Sequence, residues 1–218
     1  FPEFAGGGRE RVLLRHLVTH PSALLDMLPE NIELRRRHAP LSDFVAGTCR
    51  TPLLFAPGAE VRYQSMGILL AAEIVSRITK MPFPTLLKEE VFAPLDMRNT
   101  SLGLGGREIR DTMQCQVDEP SDWDWNSPYW RSPGSPWGRA HATAGDLATF
   151  LEAFASPKGD WLAAATRREM RSIQTGTLRP SFGLGWQRDP GTFGKTCSAE
   201  TFGHFGSTGT VVWHDPAT

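Results

Sequence analysis

Cysteine is scarce in this chain. Cys49, Cys115 and Cys197 stand far apart and odd in number, which gives neither a disulfide framework nor the close pairs of a zinc site. They read as buried or incidental thiols. Net charge is equally thin. The 23 Lys and Arg against 24 Asp and Glu leave −1, so no global basic field draws the chain to nucleic acid. No apolar run approaches the ~18 residues of a membrane helix, and no secretory leader is visible. The chain opens FPEFAGGGRER without an initiator Met and reads as the interior of a longer protein. G-x-S-x-G, a P-loop and a dinucleotide fingerprint are all missing, as are internal repeats and low-complexity tracts, so several common catalytic and nucleotide-binding motifs drop out.

What remains is ordinary globular composition, 40% hydrophobic and 22% charged over 218 residues. A chain of this size buries roughly 70% of its unfolded surface and needs no covalent staples. Val12 to Thr19 reads as a short helix. Ser22 to Arg37 reads as one or two more, its terminal basic run a solvated face. The strongest helix follows Ser65, where Ile68, Ala71, Ala72, Val75 and Ile78 recur at helical spacing and Ser65 is placed to cap the start. Pro82 and Pro84 break it, and a second helix is expected over 85–92. Residues 103–139 read as irregular and Trp-rich. ATAGDLATFLEAF (142–154) carries a Thr143/Asp146 capping box and an apolar stripe of Leu147, Phe150, Leu151 and Phe154. Residues 161–173 read as helix, and 181–189 and 201–215 as antiparallel strands. Helices first and strands last point to an α+β architecture.

Three places invite chemistry. His16 and His20 have the i, i+4 spacing of a zinc helix, but Leu17 occupies the position where a metalloprotease needs its Glu. Helix-end packing or capping is the better reading for His20. Tyr63-Gln64-Ser65 puts a phenol two residues before a polar residue at a helix mouth. That is either a buried Tyr beside an ordinary N-cap serine or a held acid/base group. In TFGHFGSTGT (201–210) three glycines flank His204 on what otherwise reads as a strand. Glycine there implies a close approach by a ligand or another backbone; a packed strand histidine is the alternative.

These pieces also occur in a familiar order. LLRHLVTHPSALL (13–25), PGAEVRYQSMGILLAAEIVSRITKMPFPTLLKEEVFAPLDMRNTSL (57–102), GRAHATAGDLATFLEAF and FGLGW followed by FGHFGSTGTVVWHDPAT resemble successive signatures of the serine β-lactamase-related family. That family includes class C β-lactamases, DD-peptidases, carboxylesterases and transesterases. The resemblance covers nearly the whole chain. It implies a β-lactamase/DD-peptidase-like α+β fold, an antiparallel sheet flanked by helices with a helical subdomain. Residues 1–218 would form one partial domain, mostly helical or loop over 20–145, with helices and strands over 146–218, incomplete at both ends.

The resemblance also implies roles. Tyr63 matches the family's catalytic tyrosine, and Ser65 takes the place usually held by Asn. His204-Phe205-Gly206 takes the place of the Lys-Thr-Gly or His-x-Gly strand motif. The Ser207 N–H becomes one oxyanion donor, and the glycines leave bare backbone for an acyl group. Trp123, Trp125, Trp130 and Trp137 fall where the family's loop overhangs the cleft. They read equally as an aromatic wall for an acyl or alcohol group and as pins for their own loop. No metal and no organic cofactor are implied.

The family's nucleophile motif, Ser-x-x-Lys, is not present in the 218 residues. Thr85…Lys88 and Thr192…Lys195 have the spacing but fall elsewhere in the pattern. The motif is expected in a missing N-terminal segment, the partner this chain requires for acyl transfer. Ala23 and Ala142 also depart from the pattern. His204 in place of Lys removes a fixed cation, which favours a neutral small-molecule ester or amide over a carboxylate-bearing substrate. The leading expectation is a serine hydrolase forming an acyl-enzyme on carboxylic esters. The alternatives are a β-lactamase or DD-peptidase, and a non-catalytic relative acting as a binding or scaffold protein.

Overall fold

The computed structural model describes residues 1–156 and 161–217. Among these, eight α-helices and four short strands succeed one another. The helices are α1 Leu14–Thr19, α2 Asn31–Arg36, α3 Leu41–Arg50, α4 Ser65–Thr79, α5 Phe83–Leu87, α6 Pro128–Arg131, α7 Ala144–Ala155 and α8 Ala164–Arg171. The strands are β1 Ser101–Leu102, β2 Ala140–His141, β3 Phe202–Phe205 and β4 Val211–His214. The α+β character expected from the residues is present, with the strands in two small antiparallel ladders, β1–β2 and β3–β4.

The helix α4 forms where expected, but its buried face is Met66, Leu69, Leu70 and Ala72. Of the expected stripe only Ala72 is buried, and Ile78 is 76% exposed, because α1 and α3 cover the neighbouring side of the helix. Its cap differs from the expected one. Gln64, not Ser65, is the N-cap, and its side-chain oxygen accepts the Gly67 N–H. Ser65 is the first helical residue and turns to Asp26, whose Oδ1 accepts both the Ser65 hydroxyl (2.6 Å) and its N–H (3.0 Å). The helix packs against α1 and α3. Leu17, Leu24, Phe44, Met66 and Leu70 centre the first core. The segment 22–37 yields only α2, and α3 adds a helix beyond the expected set.

After α5 the helix continues with a wider π-type turn over Lys88–Phe92. Around α7, Thr143 caps as expected, its side chain accepting the Asp146 N–H. The reciprocal half of the capping box is not made. Asp146 Oδ2 instead accepts the Asn99 N–H (2.8 Å) and the Thr100 hydroxyl (2.7 Å), tying α7 to the start of β1. Leu151, Phe154, Trp186 and Phe202 form the second core. Phe154 meets Trp186 edge-on at 5.1 Å and Trp186 meets Phe202 at 5.0 Å, the favoured aromatic geometry.

The closing stretch is a hairpin rather than one long strand. β3 pairs with β4 from Phe202↔His214 to Phe205↔Val211. The connecting turn is fixed by Gly206 N–H donating to Thr210 O (2.7 Å) and Gly209 N–H to Gly206 O (3.1 Å). Residues 181–189 join this ladder only through single bridges, Phe182↔Gln187 and Gln187↔Gly203.

Candidate active site

Tyr63 ends the extended stretch before α4, so the helix mouth sets its position. Its ring lies 5.9 Å from the His204 ring, centroid to centroid, at 49°. Thus a residue at the start of a helix and a residue on β3, 141 positions later in the chain, face each other. Tyr63 remains 40% exposed. Burial of the rest pushes its phenol above the ordinary tyrosine range, and the nearby Asp26 carboxylate adds to this. The phenol therefore keeps its proton at neutral pH.

His204 sits half-buried on β3, and burial holds its imidazole below the usual histidine range. Its Nδ1 lies 2.7 Å from the Phe205 carbonyl oxygen. A carbonyl only accepts, so Nδ1 carries the proton and Nε2 is the acceptor nitrogen of the neutral ring. Ser207 is exposed in the β3–β4 turn. The site thus offers a protonated phenol beside a neutral imidazole, with a turn of small residues one step further on.

Of the two close approaches expected for these glycines, Gly203 and Gly206 show the one by the protein itself, while Gly209 turns the chain at φ 83°. A Cβ on Gly203 would run into Val212 O and come within 2.6 Å of Trp213 Cβ on the paired strand. One on Gly206 would strike the Thr210 side chain. The close approach is made by the hairpin's own partner residues, and no ligand is needed to explain it.

Ser65 lies 3% exposed on Asp26, beside Tyr63 in sequence but engaged with its own carboxylate. The tryptophans are held by arginines and the core. Trp130 is sandwiched between Arg35 at 3.7 Å and Arg139 at 3.6 Å, and Trp123 lies 5.2 Å from Arg35. Trp137 packs on the first core and meets Phe44 at 5.8 Å. The Trp125 carbonyl accepts from Arg131 Nε at 3.0 Å. Arg35 is consequently buried, and the basic run at the end of α2 is not wholly a solvated face. Stacking of this kind contributes most where the cation is desolvated.

His20 was not among the expected site residues beyond its helix-end role. It is the C-cap of α1, and its ring lies 4.5 Å from that of Tyr63. Its Nδ1 accepts the Gln64 N–H, while His16 Nδ1 accepts the Leu13 N–H. Among the described residues, no group of three or more His, Cys, Asp or Glu is arranged to hold a metal ion. Asp26 also belongs to the site through Ser65 and Tyr63. Neither residue carries a local signal, because each meets Tyr63 across about 40 positions of chain.

Comparison with known proteins agrees with this architecture. Residues 1–218 match the Beta-lactamase family. A protein of Escherichia coli (strain K12), provisionally named D-alanyl-D-alanine carboxypeptidase, is 25% identical over 195 residues, covering 77% of this chain and 45% of its own length. The chain thus spans less than half the length of the curated relatives it matches. EstA from Arthrobacter nitroguajacolicus Rue61a superposes with a TM-score of 0.77 at 20% identity, over 100% of this chain and 67% of that one. A penicillin-binding protein homologue from Caulobacter crescentus gives 0.76 at 24% identity, over 99% and 65%. These structures share the fold, and with the family matched end to end the chain belongs to the Beta-lactamase family.

Proposed function

We propose that this chain supplies the tyrosine and the β3 wall of an acyl-enzyme hydrolase acting on carboxylic esters, with the nucleophilic serine contributed by sequence outside residues 1–218. The observation that carries this reading is the meeting of Tyr63 and His204 at the mouth of α4. The serine oxygen attacks the ester carbonyl carbon and its proton passes to the Lys of the same Ser-x-x-Lys segment, which returns a proton to Tyr63 once Tyr63 has given its own to the leaving oxygen. As the tetrahedral adduct collapses, the C–O bond to the alcohol breaks. Tyr63 donates a proton to the departing oxygen, and a water then repeats the sequence on the acyl-enzyme. A phenol that burial keeps protonated suits the donating step. The Ser207 N–H serves as one donor to the oxyanion, a contribution worth on the order of 10²–10³ in rate. Ser65 acts through Asp26 in holding the Tyr63 loop. The proposal gives the four tryptophans no acyl-pocket role, since their contacts account for a pinned loop.

In the full-length protein, Tyr63→Phe should lower turnover of a p-nitrophenyl ester by about 10²-fold or more, the usual worth of a positioned acid/base group. Wild-type turnover in the variant would end this reading. A DD-peptidase is the second reading, favoured by the match to the Escherichia coli protein. Against it stands His204, whose neutral ring offers no fixed cation for a terminal carboxylate. Release of D-alanine from a D-alanyl-D-alanine peptide, assayed beside short-chain esters and nitrocefin, separates the three substrate classes.

A further inference from the structure

His20 grips the backbone on both sides of Tyr63. Its carbonyl oxygen accepts the Arg62 N–H at 3.1 Å, and its Nδ1 accepts the Gln64 N–H at a longer 3.4 Å. Its ring lies 4.5 Å from the Tyr63 ring at 37°. On another side Phe182 meets it edge-on at 4.5 Å and 74°. The residue is only 2% exposed. Gln64 extends the same brace, its Nε2 donating to the Leu17 carbonyl at 3.1 Å while its Oε1 caps α4. The end of α1 and the start of α4 are thus tied together around one tyrosine.

The backbone of His20 stands in the left-handed region at φ 74°, where a helix end takes Gly or Asn at least cost. The same left-handed ending closes α4 at Lys80, so the backbone is that of an ordinary helix end, and what sets His20 apart is its side chain, whose Nδ1 accepts from the Tyr63 loop.

We propose that His20 is the positioning residue for Tyr63, an imidazole whose ring sets the plane and reach of the phenol towards His204. This rests on the acid/base reading of Tyr63 given above. Burial keeps the His20 ring uncharged at neutral pH. With Nδ1 accepting, its proton sits on Nε2. The ring acts through Tyr63 and touches no reacting atom.

The test compares three variants of the full-length protein in p-nitrophenyl ester turnover, with thermal melting followed by circular dichroism. His20→Asn keeps a backbone-proximal acceptor and tolerates the left-handed conformation, but loses the ring. His20→Phe keeps the ring and loses the acceptor. The expected result is a kcat about tenfold or more lower in His20→Asn with KM within about twofold, the mark of lost alignment rather than lost binding. His20→Phe should hold kcat within about threefold while melting at a lower temperature. Wild-type kcat in His20→Asn overturns the proposal. So does an equal loss in a folded His20→Phe, or losses in both that track the folded fraction. Tyr63→Phe separates the layers. If it retains wild-type turnover, both readings fall; if it is inactive while His20→Asn is fully active, only the positioning role falls.

Discussion

Lowering the pH forces a proton onto an imidazole that the fold has enclosed. His20 is 2% exposed, and burial, reinforced by the neighbouring His204, pushes its pKa from 6.5 down to about 4. Well above pH 6.5 the ring is uncharged in both the folded and the unfolded chain. Between about pH 6.5 and 4 the unfolded chain takes one up and the folded protein refuses it, so stability falls as the pH falls and levels off below that window. A shift of this size corresponds to roughly 3 kcal/mol in total, most of it lost between about pH 8 and pH 4.5. Other carboxylates and histidines titrate over the same range, so the difference between wild type and His20→Asn isolates this group, together with its coupling to His204. Urea unfolding of both proteins at the two pH values supplies the free energies. Wild type should lose roughly 2 kcal/mol more than the variant on acidification. Parallel losses, within about 0.5 kcal/mol, would refute the claim that His20 is held neutral by burial.

Two further substitutions test neighbouring parts of the account. Gly203→Ala should destabilise the protein by roughly 1–3 kcal/mol in urea unfolding, because the added methyl meets backbone of β4 that cannot step aside; an unchanged midpoint would contradict the hairpin register. Burial raises the Tyr63 phenol most and the Asp26 charge adds to it; Asp26→Asn removes that addition, so the alkaline limb of the kcat profile should move to lower pH, and an unmoved limb would exclude Asp26 as a neighbour that matters.

The parts of this fold that are readable in sequence are those whose signal is local. The helical extent of α4 and the Thr143 cap of α7 each need only a few neighbouring residues, and both form as expected, whereas which face of α4 is buried is decided by α1 and α3. The helix α3 was equally local in principle, since Phe44, Val45, Thr48 and Cys49 lie at helical spacing and are all buried. Its polar and glycine content blunts that pattern. Misreadings arise where a distant partner decides the outcome. Ser65 has the chemistry of an N-cap, yet Asp26, 39 residues earlier, captures its hydroxyl and leaves the cap to Gln64. Gly203 of β3 signals a close approach correctly, but the sequence does not say whose, and the answer is β4. Tyr63 and His204 were each marked by local context and by family resemblance. His20 reaches Tyr63 only through the folding of α1 onto α4, so its part in the site appears only in three dimensions.

The most direct measurement of the central claim is the intact mass, with peptide mapping, of the full-length protein after reaction with a fluorophosphonate. A hydrolase of the kind proposed should gain one phosphonyl group on a serine outside residues 1–218, and Tyr63→Phe should slow that gain by about 10²-fold. No adduct at all, or an adduct on Ser65 or Ser207, would contradict it.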